Sequence, residues 1–166
     1  MAGDDNSPVY LVDPNSDPVL VRICGRASYQ NSAPLTTFFQ KMMANDQPRF
    51  RLDFSQCTTM DSTFLGIIAG AAIAARKHTS KGEFIIAALS KRNLQLFRNL
   101  GLHRLTTIEA TPSTIPLPSE MKALDDQDVV NRETMLEAHE TLSGLGEGNR
   151  AKFQDVVTFL RANQED

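Results

Sequence analysis

Two hydrophobic rhythms alternate along the first two thirds of the chain. Val9-Tyr10-Leu11-Val12 and Pro18-Val19-Leu20-Val21-Arg22-Ile23-Cys24-Gly25 read as strands, and Pro14-Asn15-Ser16-Asp17 as the turn that makes them a hairpin. Leu35, Phe38, Phe39, Met42 and Met43 then fall at helical spacing, and Asn45-Asp46-Gln47-Pro48 ends that helix. Residues 49 to 54 make a buried strand and residues 64 to 78 a long Ala-rich helix. Residues 84 to 89 form a continuous apolar strand. Ser90 caps a third helix carrying Leu94, Phe97 and Leu100, Gly101 closes it, and residues 104 to 108 make a last strand. The order β, β, α, β, α, β, α, β predicts an α/β fold: a mixed central sheet with an N-terminal hairpin at its antiparallel edge and right-handed crossovers between parallel neighbours.

Residues 49 to 66 are the most informative segment. A strand gives way to the polar stretch Thr58-Thr59-Met60-Asp61, and a helix is expected to begin near Ser62. Asp61 or Ser62 can accept a hydrogen bond from a first-turn amide, and the helix dipole there favours negative charge. As a helix cap, Ser62 has a purely structural explanation. As a hydroxyl at the carboxyl end of a sheet strand, where α/β proteins build binding surfaces, it is also a place to put a phosphate.

Beyond the last strand the pattern changes. Residues 110 to 119 contain three prolines, which neither a helix interior nor a central strand accepts, and they read as a linker. The expected division is a domain over residues 8–109, the proline-rich linker 110–119 and a helical extension 120–166. Within the extension, residues 120 to 142 read as a helix with an interrupted apolar face (Leu124, Met135, Leu142). Residues 149 to 162 read as a cleaner one, with Phe153, Val156, Val157 and Leu160 in a single stripe. Two helices alone are too short to build a core, so this stripe needs the main domain, a second copy of the chain or another protein to rest on.

Composition narrows the function. Hydrophobic residues make up 41% of the 166, enough for a core, and no apolar run reaches the length of a membrane span. The N-terminus lacks the basic-then-apolar pattern of a secretory leader, and a soluble cytoplasmic protein is expected. Residues 1 to 119 carry 12 Lys and Arg against 9 Asp and Glu, and residues 120 to 166 carry 5 against 11; neither balance nor any basic cluster suggests nucleic acid. Cys24 and Cys57 show no paired C-x-x-C spacing, which argues against zinc and disulfides. A hydrolase would need Gly-x-Ser-x-Gly around Ser62, and the flanks are Met60-Asp61 and Thr63-Phe64. His78, His103 and His139 read as surface or partly buried rings, so no enzyme is expected. With no Gly-rich phosphate loop, no cofactor is expected either.

Residues 8 to 109 resemble the STAS domain, named for sulfate transporters and anti-sigma factor antagonists. The resemblance is carried by Leu52-Asp53-Phe54-Ser55 through Met60-Asp61-Ser62, by Leu65-Gly66, and by Leu96-Phe97 with Leu100-Gly101-Leu102. In the bacterial antagonists the turn runs roughly Met-Asp-Ser-Ser-Gly-Leu-Gly, and the Ser after Asp is phosphorylated by the anti-sigma factor, a serine kinase of the ATP-binding, histidine-kinase-like type. The resemblance therefore implies phosphorylation at Ser62 and a partner surface of Thr59, Met60, Asp61, Ser62, Thr63, Phe64 and Leu65. It also implies partner switching: unmodified Ser62 permits docking, and phosphate at a desolvated interface abolishes it while the fold survives. All of this supposes that the Ser62 oxygen is open to solvent within a surface another protein can cover.

Two departures qualify the pattern. The family's Gly is Phe64, either an exposed anchor or a ring folded inward, and its Gly-Glu-Leu-Asp after the second strand is Gly25-Arg26-Ala27-Ser28, which implies a different partner. The alternative function is a non-switching STAS adaptor or assembly subunit of a signalling or transport complex, with the C-terminal helices mediating association, a homodimer included.

Overall fold

A computed structural model describes residues 9–109, 121–124 and 129–164. The hairpin is present as β1 (Tyr10–Asp13) and β2 (Val19–Ala27), followed by α1 (Ala33–Ala44), β3 (Arg49–Met60), α2 (Ser62–Lys77), β4 (Glu83–Ala87), α3 (Lys91–Leu100), a 3-10 turn (Leu102–Arg104) and β5 (Thr107–Ile108). β6 (Lys122–Ala123), α4 (Arg132–Ser143) and α5 (Glu147–Gln164) complete the described chain. The proline-rich stretch 110–119 lies outside the described residues, as does residue 8.

The strands form a six-stranded mixed sheet in the order β5-β4-β3-β2-β1-β6. β1 is antiparallel to both β2 and β6, whereas β2, β3, β4 and β5 run parallel to one another. Parallel pairing follows from the intervening helices, which return the chain to the same end of the sheet. Alternation along β3 sorts the two faces. Phe50 meets Phe39 of α1 at 5.0 Å between ring centroids, and Phe54 meets Phe64 of α2 at 6.3 Å and Phe97 of α3 at 5.9 Å, so all three helices lie on one face. The intervening Arg51 and Asp53 face the other side and are paired there with Glu109 and Arg22.

Asp53 shows how that polar face is held. Burial pushes its carboxyl up, but hydrogen bonds from the Ser55 amide and hydroxyl and the Arg22 guanidinium at 2.8 Å outweigh it and leave the group below its ordinary range.

Helix ends obey the local signals. Ser90 accepts from the Asn93 amide at the start of α3, and Gly101 ends it in the left-handed region (φ 85°).

Three boundaries differ from the sequence reading. β3 continues through the polar stretch to Met60, because β2 supplies partners as far as Ala27 through register shifts after Arg22 and Gly25. The last strand is Thr107–Ile108, preceded by the 3-10 turn at Leu102–Arg104. The expected helix over 120–142 begins only at Arg132: residues 122 and 123 instead pair with β1, whose open edge offers backbone partners, and the Leu124 amide donates to the Tyr10 carbonyl at 3.0 Å. Asn131 then caps α4 by accepting from the Thr134 amide at 2.7 Å.

The C-terminal helices rest on the same chain. Leu142 of α4 and Phe153 of α5 join the main hydrophobic core, while Ala138 packs with Ile67 of α2 and Val130. Asn149, buried at the start of α5, donates to the carbonyls of Leu100 (2.7 Å) and Leu142 (2.9 Å), joining the ends of three helices.

Candidate functional site at the start of helix α2

The β3–α2 turn is fixed by Asp61 from both sides. Its extended backbone makes it the N-cap, and Oδ1 accepts from the Phe64 amide at 2.9 Å. Oδ2 accepts from the Tyr29 amide at 2.9 Å, and the Asp61 amide donates to the Ala27 carbonyl at 3.0 Å. One carboxylate thus ties the end of β2 to the start of α2. Asp61, rather than Ser62, is the cap; Ser62 is the first helical residue.

The Ser62 hydroxyl is half-buried and has a partner that the sequence reading missed. Its Oγ lies 2.8 Å from His139 Nε2, across 77 residues of chain. The other ring nitrogen, Nδ1, lies 2.8 Å from the Met135 carbonyl, which can only accept. In the neutral imidazole Nδ1 therefore carries the proton, Nε2 is the acceptor and the serine hydroxyl donates. His139 is 4% exposed and stands edge-on to the Phe153 ring at 5.6 Å. His139, expected at the surface or partly buried, is instead buried, and the Ser62 oxygen is partly covered rather than fully open, because α4 lies along α2 and delivers the imidazole. A signal was present: Leu136, His139 and Leu142 share one helical stripe, which places His139 on the buried face of α4.

Gly66 lets the two helices approach. A Cβ built there would stand 2.3 Å from the Ala138 carbonyl oxygen and 2.6 Å from the Ala138 Cβ, so a side chain at residue 66 and this crossing are incompatible. One turn on, a Cβ at Gly70 would meet only Thr141 Oγ1, at 3.9 Å.

The other expected partner residues divide by exposure. Thr59 is exposed and Met60 and Asp61 are half-buried, whereas Thr63, Phe64 and Leu65 are buried. Phe64 has turned inward, with its ring parallel to that of Tyr10 at 6.3 Å; Tyr10 in turn shares a hydrogen bond with Ser32 at 3.0 Å. Exposed Tyr29 stands beside the turn, and its carbonyl accepts from the Val130 amide at 2.7 Å. Of the expected partner residues, Thr59, Met60, Asp61 and Ser62 keep exposed surface at this turn, beside exposed Tyr29.

Chemically, the pair is a serine hydroxyl aimed at an imidazole whose orientation is fixed by a backbone carbonyl. The Phe64 amide, a natural donor toward an oxyanion at this helix start, is consumed by Asp61. The apolar cavity of about 230 Å³ between α1, α2 and α4, lined by Phe39, Met43, Ile67, Gly70 and Ala74 among others, includes neither Ser62 nor His139. Among the described residues no group of three or more His, Cys, Asp and Glu side chains could hold a metal ion, and no helix is long and apolar enough to cross a membrane.

Comparison with known proteins agrees with this architecture. The family model described as "Mlab, STAS domain" matches residues 11–108, more than half of the chain. The chain belongs to the STAS domain family. The STAS fold is also found in the anti-sigma factor antagonist SpoIIAA in its unphosphorylated form, which is 13% identical, with a TM-score of 0.51 over 61% of this chain and 88% of that one. A protein of Thermotoga maritima described as a candidate anti-sigma factor antagonist is 18% identical, with a TM-score of 0.49 over 65% and 87%. No curated protein matches the sequence. The likeness to SpoIIAA, at 13% identity, shows the fold and nothing finer. The matched span ends at residue 108, so α4, which supplies His139, and α5 lie outside it.

Proposed function

We propose that this STAS protein is a regulator that works by binding another protein, in the manner of an anti-sigma factor antagonist, with the β3–α2 turn as its contact surface and Ser62 as its control point. The partner class is an anti-sigma factor that is also a serine kinase, and the process is transcriptional regulation by partner switching in the cytoplasm. The observation that carries the reading is the position of Ser62: first residue of a sixteen-residue helix, directly after its Asp cap, at the carboxyl end of a parallel strand. A phosphate there meets the positive end of the helix dipole and leaves the domain folded, while adding about 1.5 to 2 negative charges to whatever surface covers it.

One observation favours a second reading, in which the chain is a non-switching adaptor. Ser62 already has a partner within the chain, and α4 already occupies the adjoining face of α2. Phosphopeptide mass spectrometry on protein purified from its native cells separates the two. The switch requires a phosphorylated Ser62 under some growth condition, and its absence under all of them leaves the adaptor. On the switch reading Ser62→Ala binds the kinase partner constitutively and Ser62→Asp weakly; equal affinities measured by calorimetry refute it.

A further inference from the structure

The α2 face next to Ser62 carries a helix of the protein's own. Three features define what that face accepts. At Gly66 the crossing helix must present a small residue, and Ala138 does so with its backbone in contact. Beside it, Ile67 packs with Ala138 and Val130, and Met135 borders the same cluster. One position after the small residue stands a hydrogen-bond acceptor for the Ser62 hydroxyl, the His139 Nε2. The pattern is an apolar residue, two intervening positions, a small residue and an acceptor, as in Met135-Glu137-Ala138-His139 with Leu136 included.

We propose that α4 is a built-in occupant of the partner surface, latched by the Ser62–His139 hydrogen bond, and that the partner this surface takes is an amphipathic helix of the same pattern that replaces it. The inference rests on reading the Ser62 turn as the contact surface. Displacement withdraws Leu142 from the main core and breaks the Asn149 bond to its carbonyl, while the ring contacts among Phe39, Phe50, Phe54, Phe84 and Phe97 lie within the strands and α1 to α3. The cover is also incomplete, because the 230 Å³ cavity lies along its border, with Thr134, Glu137 and Thr141 of α4 on one wall and Ile67 and Gly70 of α2 on another. A tethered helix competes at an effective concentration in the millimolar range for short linkers, so a free helix of equal intrinsic affinity binds the closed chain poorly. Loss of the latch shifts that balance by the net contribution of one hydrogen bond, roughly three- to tenfold.

The test uses the full chain and a fluorescent peptide of residues 130–143 as the probe. His139→Ala, which breaks the latch but leaves Ser62 free to donate to the peptide's own His139, is expected to bind the peptide roughly three- to tenfold more tightly than the unmodified chain, whereas Ser62→Ala removes the bond from α4 and peptide alike and should leave the apparent affinity nearly unchanged. In both variants the α4 amides should exchange hydrogen faster by a similar factor while β3 and β4 amides stay unchanged. A second variant, Gly70→Cys with Thr141→Cys, places a reducible bridge across the α2–α4 seam, where a Cβ at residue 70 lies 3.9 Å from Thr141 Oγ1. Oxidised, it should bind no peptide; reduced, it should bind as the unbridged chain does. Equal peptide binding by the oxidised and reduced forms overturns the proposal, and so does unchanged α4 exchange in Ser62→Ala. A chain that dimerises on losing the latch, with α4 amides still protected, assigns the face to a second copy and also overturns it. A chain phosphorylated at Ser62 in cells whose α4 never opens keeps the regulatory reading and loses this one; a chain whose α4 opens but whose Ser62 is never phosphorylated does the reverse.

Discussion

Gly66→Ala and Gly70→Ala should have opposite effects on stability, although both replace a glycine in the same helix one turn apart. In a helix interior the change gains about 0.5–1 kcal/mol from the lower entropy cost of alanine. At Gly70 nothing opposes that gain, since the new methyl makes ordinary contact with Thr141 Oγ1 at 3.9 Å. At Gly66 the methyl would sit 2.3 Å from a backbone oxygen and 2.6 Å from the Ala138 carbonyl carbon. Ordinary contact begins near 3.4 Å, so α4 must retreat by about 1 Å, and the contacting atoms include backbone, which no rotamer change can move. Overpacking of this kind costs about 1–3 kcal/mol, giving a net destabilisation of about 0–2.5 kcal/mol, centred a little above 1, after the helix gain is deducted. For a chain of this size the central value lowers Tm by roughly 2–5 °C, at about 2–4 °C per kcal/mol. Denaturant unfolding followed by circular dichroism, with hydrogen exchange on residues 132 to 143, measures both variants. If Gly66→Ala stabilises the protein as much as Gly70→Ala does, the close crossing of α2 and α4 is refuted.

Three further outcomes follow from the same geometry. Asn149→Ala leaves the carbonyls of Leu100 and Leu142 without their buried donor and should cost about 1–3 kcal/mol, read from the denaturation midpoint. Asp61→Ala removes the cap of α2 and the bond to the Tyr29 amide together and should cost about 1–2 kcal/mol, with Asp61→Asn recovering much of it, since it keeps an acceptor for the cap. Asp53, whose folded-state pKa lies below the ordinary 3.8, stabilises the protein above that value and loses the contribution as pH falls through the lower, folded value. The stability gap between the unmodified chain and Asp53→Asn should accordingly be full near neutral pH and narrow progressively below about pH 4, in thermal unfolding measured across that range.

The regular elements were legible wherever the local signal and the tertiary setting agreed. The start of α2 after Asp61, the Ser90 cap and the Gly101 ending of α3 are set by backbone donors and acceptors within a few residues, which a sequence displays directly. Where a distant segment supplied the partner, the local reading failed. Polar residues 55 to 60 look like a turn, yet β2 lies alongside and extends β3 through them. Lys122 and Ala123 sit in a helix-like stretch, yet the free edge of β1 captures them as a strand. Phe64 shows the same limit at the site. Its replacement of the family's glycine left two orientations open, and the ring's place is set by Phe54 on the preceding strand and by Tyr10, far away in sequence. His139 was the costliest miss. Read along α4 it is one polar residue among acidic neighbours, and only the Leu136-His139-Leu142 stripe marks it as inward-facing. That Ser62 waits at the other end of the bond depends on how α4 crosses α2, and the enabling residue, Gly66, sits in a motif that already had a family explanation.

The serine hydroxyl cannot serve the latch and carry a phosphate at once. Esterification replaces the hydrogen that points at His139 Nε2, so the donor of the 2.8 Å bond is lost whatever rotamer the phosphate adopts. The added charge then sits beside a ring whose other nitrogen is committed to the Met135 carbonyl. Either a proton shared between the phosphate and the ring restores a hydrogen bond that holds α4, or the ring loses its partner and releases α4. These branches have opposite consequences for a protein that competes with α4: the first closes the face more firmly, the second opens it. In either branch the apparent affinity of a partner is its intrinsic affinity reduced by the fraction of chains with α4 lifted. A partner that selects the open chain must, by linkage, itself favour the open form, and so make the Ser62 oxygen more accessible to a kinase. On the proposed reading, binding and modification would be coupled through one hydrogen bond between the family's turn and a helix outside the family's span.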